Sequence, residues 1–303
     1  MLSQHFTGVR DVSALPVIEF QKSNLATRVI SALVLMPIVI ASTYLGYPYF
    51  NFLVGLCAAL IAWEYSRIIS SGHLDYEGKG LIIGLVGAVF LSSTDKYTWA
   101  FFLLGLMAVV FLSIVLAKTL FNRSKIISPE RARAIYPIDS LWIVVGGAYM
   151  GGACISLIWI RNEWDNGLLA VMWILFLVWA SDCGAYALGR LIGGPKLAPK
   201  ISPNKTYAGL AGCIFSASIV GLVIGKYIPI DNLYEFIVIN GLIGLFSQMG
   251  DLVESAFKRH FGVKDSSNLI PGHGGVLDRV DALLAAIFAV TLISIINKGP
   301  LLS

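Results

Sequence analysis

The sequence predicts an all-α membrane protein whose chain crosses the bilayer many times. Of its 303 residues, 57% are hydrophobic and only 13% are charged, whereas a soluble domain carries about 25% charged residues. The mean hydropathy is +0.78. Because so few charges cannot cover a water-soluble protein of this size, we exclude a soluble globular enzyme. Open strands would leave backbone groups unpaired in lipid, so the apolar segments are expected to be helices.

Nine apolar runs are candidates for transmembrane helices, each of which needs about 20 mainly apolar residues. They lie near residues 26–45, 49–70, 80–93, 97–119, 140–160, 168–191, 206–228, 234–257 and 280–297. The third run is short for a full crossing, and we expect it to be tilted or re-entrant. The chain therefore divides into an N-terminal cytoplasmic segment, 1–24, which lacks the apolar core of a signal peptide, and a multi-pass domain, 25–303.

The distribution of Lys and Arg predicts the orientation of these spans, since cytoplasmic loops are enriched in both. With the N-terminus inside, 18 of the 22 cations fall on the cytoplasmic side. Those on the other side are Lys96, Arg161, Lys226 and Lys298. We therefore predict nine spans with the N-terminus in and the C-terminus out. The polar inserts near 192–205 and 258–279 then face the cytoplasm together and can meet one soluble substrate.

Two further classes are excluded by the charges and cysteines. The basic residues are dispersed, so no nucleic-acid partner is expected. All four cysteines lie in apolar stretches without a CxxC spacing, which is typical of small buried residues rather than of a disulfide or zinc framework. They are Cys57, Cys154, Cys183 and Cys213.

The richest polar region runs from residue 247 to 281. Its first part places four polar side chains on one helix face: Asp251, Glu254, Ser255 and Lys258. Asp278 and Asp281 share a face at the head of the last helix. Carboxylates that face each other at a membrane boundary repel unless a cation joins them, and oxygen ligands suit a hard ion such as Mg2+. We therefore predict a Mg2+ site here.

Basic residues surround these carboxylates, namely Lys258, Arg259, Lys264 and Arg279. A metal with a basic clamp is typical of phosphoryl-type transfer, because both reduce the charge of phosphate oxygens. The alternative is that these cations only set the topology. His273, between two glycines, is interpreted as a hydrogen-bond donor to phosphate rather than as a proton shuttle.

A second polar region spans residues 179–212. It combines Asp182, Ser202, Asn204, Lys205 and Thr206 with small residues such as Gly184 that let helices approach closely. It lacks the spacing of a Walker loop. The alternatives are structural: Ser202 or Thr206 could cap the next helix, and Gly189 and Gly193 could form a packing face.

Two other features have structural interpretations. Glu64, near the cytoplasmic end of the second run, is expected to pair with Arg67. Gly147 and Gly151 are expected to pack within one subunit, with a dimer seam as the alternative.

The segment SAFKRHFGVKDSSNLIPGHGGVLDRVD, residues 255–281, resembles the signature of phosphatidate cytidylyltransferases, also called CDP-diacylglycerol synthases. The blocks WASDCGAY, from Trp179, and GGPKLAPKISPNKT, ending at Thr206, resemble the same family. Cys183 stands where the family pattern leads us to expect Thr. The resemblance is weak before about residue 140, and it places the catalytic half at 168–297.

The resemblance implies transfer of a cytidylyl group from CTP to phosphatidate, giving CDP-diacylglycerol and pyrophosphate. It also implies Mg2+, a monovalent cation such as K+, a homodimer, and a bacterial inner membrane with the active site facing the cytoplasm. The implied catalytic residues are Asp251, Asp278, Asp281, Lys258 and Arg259, with the three aspartates as metal ligands. The implied substrate-binding residues are Asp182, Ser202, Asn204, Lys205, Lys264, His273, Gly274 and Arg279.

Three other functions are alternatives to this interpretation. A membrane lipid kinase would transfer the γ-phosphate of the nucleotide instead. A cation-coupled transporter would carry paired broken helices in two matching halves, whereas the polar residues here crowd into the C-terminal half. A CDP-alcohol phosphatidyltransferase would need a DGxxAR pattern, but Asp182 is followed by Cys183.

Overall fold

The computed structural model describes residues 25–124 and 137–302. The predicted segment 1–24 and the cations Lys125, Arg131 and Arg133 lie outside these ranges. The described part contains nine helices and one short hairpin. In chain order these are α1 (Leu25–Leu45), α2 (Tyr49–Ile69), α3 (Tyr76–Ser92), α4 (Tyr97–Ser124), α5 (Pro137–Glu163), α6 (Gly167–Leu191), β1 (Lys196–Ala198), β2 (Ser202–Thr206), α7 (Tyr207–Tyr227), α8 (Leu233–His260) and α9 (Leu277–Ile296).

Each apolar run of the sequence coincides with one helix, so the all-α prediction holds apart from the hairpin. Seven of the helices are long and apolar enough to cross a membrane, which makes the chain an integral membrane protein. The other two are α1, whose apolar part is Val29–Leu45, and α3, with 17 residues. The nine-span count and the orientation remain predictions.

The helices form one bundle in which most sequence neighbours pack side by side. α5 lies inside this bundle and contacts α2, α3, α4, α6 and α9. Its Ile143 and Ile155 are fully buried, as is Trp173 of α6. Large apolar side chains such as Leu33 and Phe52 are exposed on the outer face. In a membrane, this outer face meets the lipid.

Glycines let several helices approach closely. A Cβ on Gly212 of α7 would collide with the carbonyl oxygen of Gly184 of α6, as predicted for the small residues of that region. Gly147 and Gly151 face Leu81 and Leu104 of the same chain. They therefore pack within the subunit, and the dimer-seam alternative is not needed to explain them.

One end of the bundle gathers the polar inserts. The Tyr65 hydroxyl, near the end of α2, donates to the carbonyl of Trp142 near the start of α5, at 2.8 Å. The Tyr65 ring stacks on Phe257 near the end of α8, with centroids 4.3 Å apart. Ser31 of α1 donates to the carbonyl of Pro271, in the loop between α8 and α9, at 2.9 Å. The ends of α2 and α8 and the start of α5 therefore share this end of the bundle.

Candidate active site

The β1–β2 hairpin brings Lys205 to helix α8. The strands pair antiparallel, with Lys196 opposite Thr206. Thr206 caps α7, since its hydroxyl accepts from the Gly209 amide at 3.0 Å, which confirms the capping alternative for this residue. The preceding Lys205 ammonium lies 2.7 Å from Oδ2 of Asp251. This ion pair joins the two polar regions identified in the sequence.

Asp182 of α6 belongs to the same cluster. Its Oδ1 accepts a hydrogen bond from the side-chain amide (Nε2) of Gln248 of α8 at 3.2 Å. The charges of Lys205 and Arg279 attract it, while that of Asp251 repels it. Side chains from α6, α8, α9 and the hairpin therefore meet at one place.

Two turns beyond Asp251 along α8, Lys258 lies between two carboxylates. Its ammonium is 2.7 Å from Oε2 of Glu254 and 2.5 Å from Oδ1 of Asp278. Lys258 is 7% exposed and Glu254 is 9% exposed. Unpaired charges are costly to bury, so the loss of any one of the three groups would leave a buried charge without compensation.

Asp278, in the first turn of α9, organises the preceding loop. Its Oδ2 accepts from the Ser266 amide at 2.9 Å, the Ser266 hydroxyl at 2.9 Å and the Gly275 amide at 2.8 Å. Gly274 has a φ of +85°, and a Cβ there would lie 2.6 Å from Oδ2 of Asp278. This position therefore requires glycine, for both backbone conformation and space.

Glu64 does not pair with Arg67, so that prediction was wrong. The Arg67 guanidinium donates to the carbonyl of Gly72 at 2.9 Å and lies over the Trp63 ring. Glu64 is fully buried, and it accepts four hydrogen bonds from the α8–α9 loop and the start of α9. The donors are the hydroxyls of Ser266 and Ser267 and the amides of Val276 and Leu277.

The other predicted residues lie around this cluster. Asp281 is half-buried, and its charge is repelled by those of Asp251 and Glu254. Arg259 is exposed and donates to the carbonyl of Val263 at 2.9 Å, closing the turn after α8. The His273 amide donates to the carbonyl of Ile270 at 2.9 Å. Ser202 is half-buried, whereas Asn204, Lys264 and Arg279 are exposed.

The carboxylates suit a hard cation by their chemistry, although they do not form a closed ligand cage. Within residues 25–124 and 137–302, no group of three or more His, Cys, Asp or Glu side chains is placed to hold a metal. The predicted ligands Asp251, Asp278 and Asp281 are thus not gathered around one point. The charges of Asp251 and Asp281 nevertheless repel each other, and a cation bound between them would reduce that repulsion. An open pair fits Mg2+, which usually binds one or two carboxylates together with substrate phosphates.

The comparison with known proteins decides the family. Residues 26–296 match the cytidylyltransferase family. The chain belongs to the cytidylyltransferase family. This match covers all nine helices of the described part almost completely.

Relatives within the cytidylyltransferase family are similar over nearly their whole length. A phosphatidate cytidylyltransferase of Staphylococcus epidermidis is 32% identical over 280 residues, which is 91% of this chain and 98% of the relative. One of Brucella suis is 33% identical over 281 residues, or 92% and 96% of the two chains. One of Staphylococcus aureus is 30% identical over 279 residues, or 91% and 98%.

Sequence reasoning missed three polar partners in this candidate site. Gln248 was not singled out, although it lies three residues before Asp251 and therefore on the same helix face. Ser267 was read only as part of the family pattern, and Ser266 was given no role in it. Since Ser and Thr are common in loops, nothing local indicated that these hydroxyls bind a carboxylate on α2.

Proposed function

We propose that this chain transfers the cytidylyl group of CTP to phosphatidate, giving CDP-diacylglycerol and pyrophosphate. The observation that carries the proposal is the Lys205–Asp251 ion pair, which joins the two polar regions into one site. The family and the names of the relatives supply the substrates. A site built from cations beside carboxylates is suited to two phosphate-bearing substrates.

The proposed chemistry needs little more than alignment and charge compensation. A phosphate oxygen of phosphatidate attacks the α-phosphorus of CTP, the bond from that phosphorus to the bridging oxygen breaks, and pyrophosphate leaves with the electron pair. A phosphate monoester is already anionic near neutral pH, so no strong general base is required. The barrier lies in bringing two polyanions together, which basic side chains reduce while the site holds the reactants in line.

The exposed cations are the groups available to phosphate. We assign this role to Arg259, Lys264 and Arg279, which are exposed. Lys205 and Lys258 are engaged with carboxylates, and we propose that they set the local charge while Ser202, Asn204, His273 and Gly274 line the nucleotide. Asp182, held by Gln248, completes this environment.

The proposed metal is Mg2+. The third predicted ligand, Asp278, is paired with Lys258 in this structure, whereas the open pair Asp251 and Asp281 would hold the ion together with substrate phosphates. When bound, it neutralises phosphate charge and polarises the reacting phosphoryl group. We also propose a monovalent cation such as K+ nearby. Removing divalent ions with a chelator should stop the reaction and adding Mg2+ should restore it, while omission of K+ should lower the rate. Activity that persists in the chelator would exclude the metal.

A label-transfer assay tests the reaction itself. Purified chain in detergent with phosphatidate, Mg2+ and α-labelled CTP should move the label into the lipid phase and release pyrophosphate. A lipid kinase would instead transfer label from γ-labelled nucleotide, and a transporter would transfer neither. Label that stays in water in both arms would overturn the cytidylyltransferase proposal.

Orientation, location and assembly are proposed together. The apolar helices and the bacterial relatives support a bacterial inner membrane, and the cation distribution supports a nine-span chain with its site in the cytoplasm. CTP would then reach the site from water and phosphatidate from the inner leaflet. A homodimer is proposed from the family resemblance, and a particle mass measured in detergent by light scattering would decide it.

A further inference from the structure

Glu64 contacts the α8–α9 loop (residues 261–276) through both carboxylate oxygens. Oε1 accepts from the Ser267 hydroxyl at 2.6 Å and from the Val276 amide at 2.9 Å. Oε2 accepts from the Ser266 hydroxyl at 3.0 Å and from the Leu277 amide at 2.7 Å. Each oxygen therefore takes one hydroxyl donor and one backbone donor.

These contacts account for a buried charge without a cation. Glu64 is 0% exposed, and no Lys or Arg whose side chain the structure describes forms an ion pair with it. The amides of Val276 and Leu277 open helix α9, where backbone N–H groups lack partners within the helix. Val276, at the N-cap, offers no capping side chain. Glu64 thus caps α9 from another helix, where the helix dipole also favours a negative charge.

The same loop residues hold the Asp278 carboxylate. The Ser266 hydroxyl lies 3.0 Å from Oε2 of Glu64 and 2.9 Å from Oδ2 of Asp278, so its single proton is shared between the two carboxylates. A Cβ on Gly275 would collide with both the Ser266 hydroxyl and the Glu64 carboxylate. The loop is therefore closely fitted between two carboxylates, one on α2 and one on α9.

We infer that Glu64 is a positioning residue, which fixes the α8–α9 loop so that Asp278 and Lys258 take their places in the active site. It is fully buried, so it acts through the loop rather than on the substrate. The catalytic part of this inference rests on the proposed function. The anchoring part rests only on the contacts above.

The central variant is Glu64→Gln, which keeps the shape but turns one oxygen into an amide nitrogen. That nitrogen then faces the backbone N–H of either Val276 or Leu277, so two donors oppose each other. A serine hydroxyl could rotate and accept a hydrogen bond instead, but a backbone N–H cannot. Asn51→Leu is the matched control. Asn51 lies on the same helix, is 5% exposed, and its side chain has no hydrogen-bond partner among the residues that the structure describes.

Amide hydrogen exchange of the full chain in detergent, without substrates, tests the anchoring. Glu64→Gln should speed exchange in peptides covering residues 265–277 by roughly tenfold or more, since hydrogen bonds to a charged group are lost. Exchange in α4 and α5 should stay as in the unchanged chain, and Asn51→Leu should leave the loop unaffected. Unchanged loop exchange in Glu64→Gln would overturn the inference, and so would a uniform increase throughout the bundle.

Kinetics test the positioning. Glu64→Gln should lower kcat/KM by roughly tenfold to a hundredfold and raise the Mg2+ concentration needed for half-maximal rate. A merely structural role would reduce the active fraction and leave that concentration unchanged. Glu64→Asp, which keeps the charge, should recover part of the loss. If the unchanged chain transfers no label, the proposed function fails, while the exchange experiment still decides the anchoring.

Ser267→Ala provides a second route, from the loop side, should Glu64→Gln not fold. It removes the donor to Oε1 and should produce the same changes to a smaller extent. In a double-mutant cycle the combined loss in kcat/KM should be clearly smaller than the product of the two single losses, because both variants break one contact. Independent effects would show that the Glu64–Ser267 contact does not position the site.

Discussion

At the scale of single residues, Lys258 shows how the site depends on compensated charges. Its ammonium contacts Glu254 and Asp278, and all three side chains are largely withdrawn from solvent. A lysine in this position compensates the charges of its two carboxylate neighbours, so it is not free to bind a substrate phosphate. The sequence predicted Lys258 as a phosphate ligand. In this structure its partners are two carboxylates.

We expect Lys258→Met to destabilise the protein and to abolish label transfer. Removing one member of a buried ion pair costs about 3–5 kcal/mol, because the remaining charges are left uncompensated. Thermal unfolding in detergent measures this loss. Adding Glu254→Gln to Lys258→Met should recover part of the stability, since one of the two stranded charges is then removed. An unfolding temperature of Lys258→Met equal to that of the unchanged chain would contradict this account.

At the scale of elements, close contact between α6 and α7 sets the distance between Asp182 and Lys205. The two helices meet at Gly184 and Gly212, where an added Cβ on either glycine collides with the other's carbonyl oxygen. Asp182 lies on α6, and Lys205 lies in the strand that leads into α7. Any separation of the two helices therefore moves Lys205 away from Asp182, the carboxylate that its charge attracts.

Gly212→Ala should lower stability by about 1–3 kcal/mol, the usual range for overpacking a close contact, and should also reduce label transfer. Gly105→Ala is the control. A Cβ on Gly105 of α4 meets nothing within 4 Å, so the helix preference for alanine should make it neutral or stabilising by up to about 1 kcal/mol. Thermal unfolding of both variants in one detergent makes the comparison. Equal shifts in the two would contradict a close α6–α7 contact.

The helices were predictable because every backbone polar group in lipid must be paired within its own segment. The hydrogen-bond partners of the polar side chains were not predictable, because they lie far away in the sequence. The third apolar run was predicted at 80–93, and the helix is Tyr76–Ser92. Glu64 was assigned to Arg67 because a neighbour three residues away is all that a local pattern can show. Its partner Val276 lies 212 residues later in the chain. The distribution of Lys and Arg predicts one side of the membrane for the two polar regions and so predicts that they lie together. The Lys205–Asp251 contact itself is visible only in the structure.

At the scale of the whole molecule, contacts of α1 and α3 support nine crossings over seven. Ser31 near the start of α1 contacts the α8–α9 loop, while the Thr43 carbonyl near its end accepts from Arg161 at the far end of α5, at 3.0 Å. In the same way, α3 runs antiparallel along α4. Glu77 of α3 pairs with Lys118 of α4, and Gly87 packs against Leu103. Both helices therefore extend between the two ends of the bundle.

Cysteine labelling distinguishes the two topologies, because the α2–α3 loop changes sides between them. With nine crossings, His73 lies on the cytoplasmic side, together with the active site. If α1 and α3 did not cross, it would lie on the opposite side, whereas Asp95 would face outward in both cases. In a variant without the four native cysteines and with its label transfer intact, a membrane-impermeant maleimide added to intact cells should modify Asp95→Cys but not His73→Cys. His73→Cys should react only after the membrane is opened. Both residues are exposed in the structure, so protection in intact cells reports the side of the membrane rather than burial. Labelling of His73→Cys from outside would show that α3 does not cross and would exclude nine crossings.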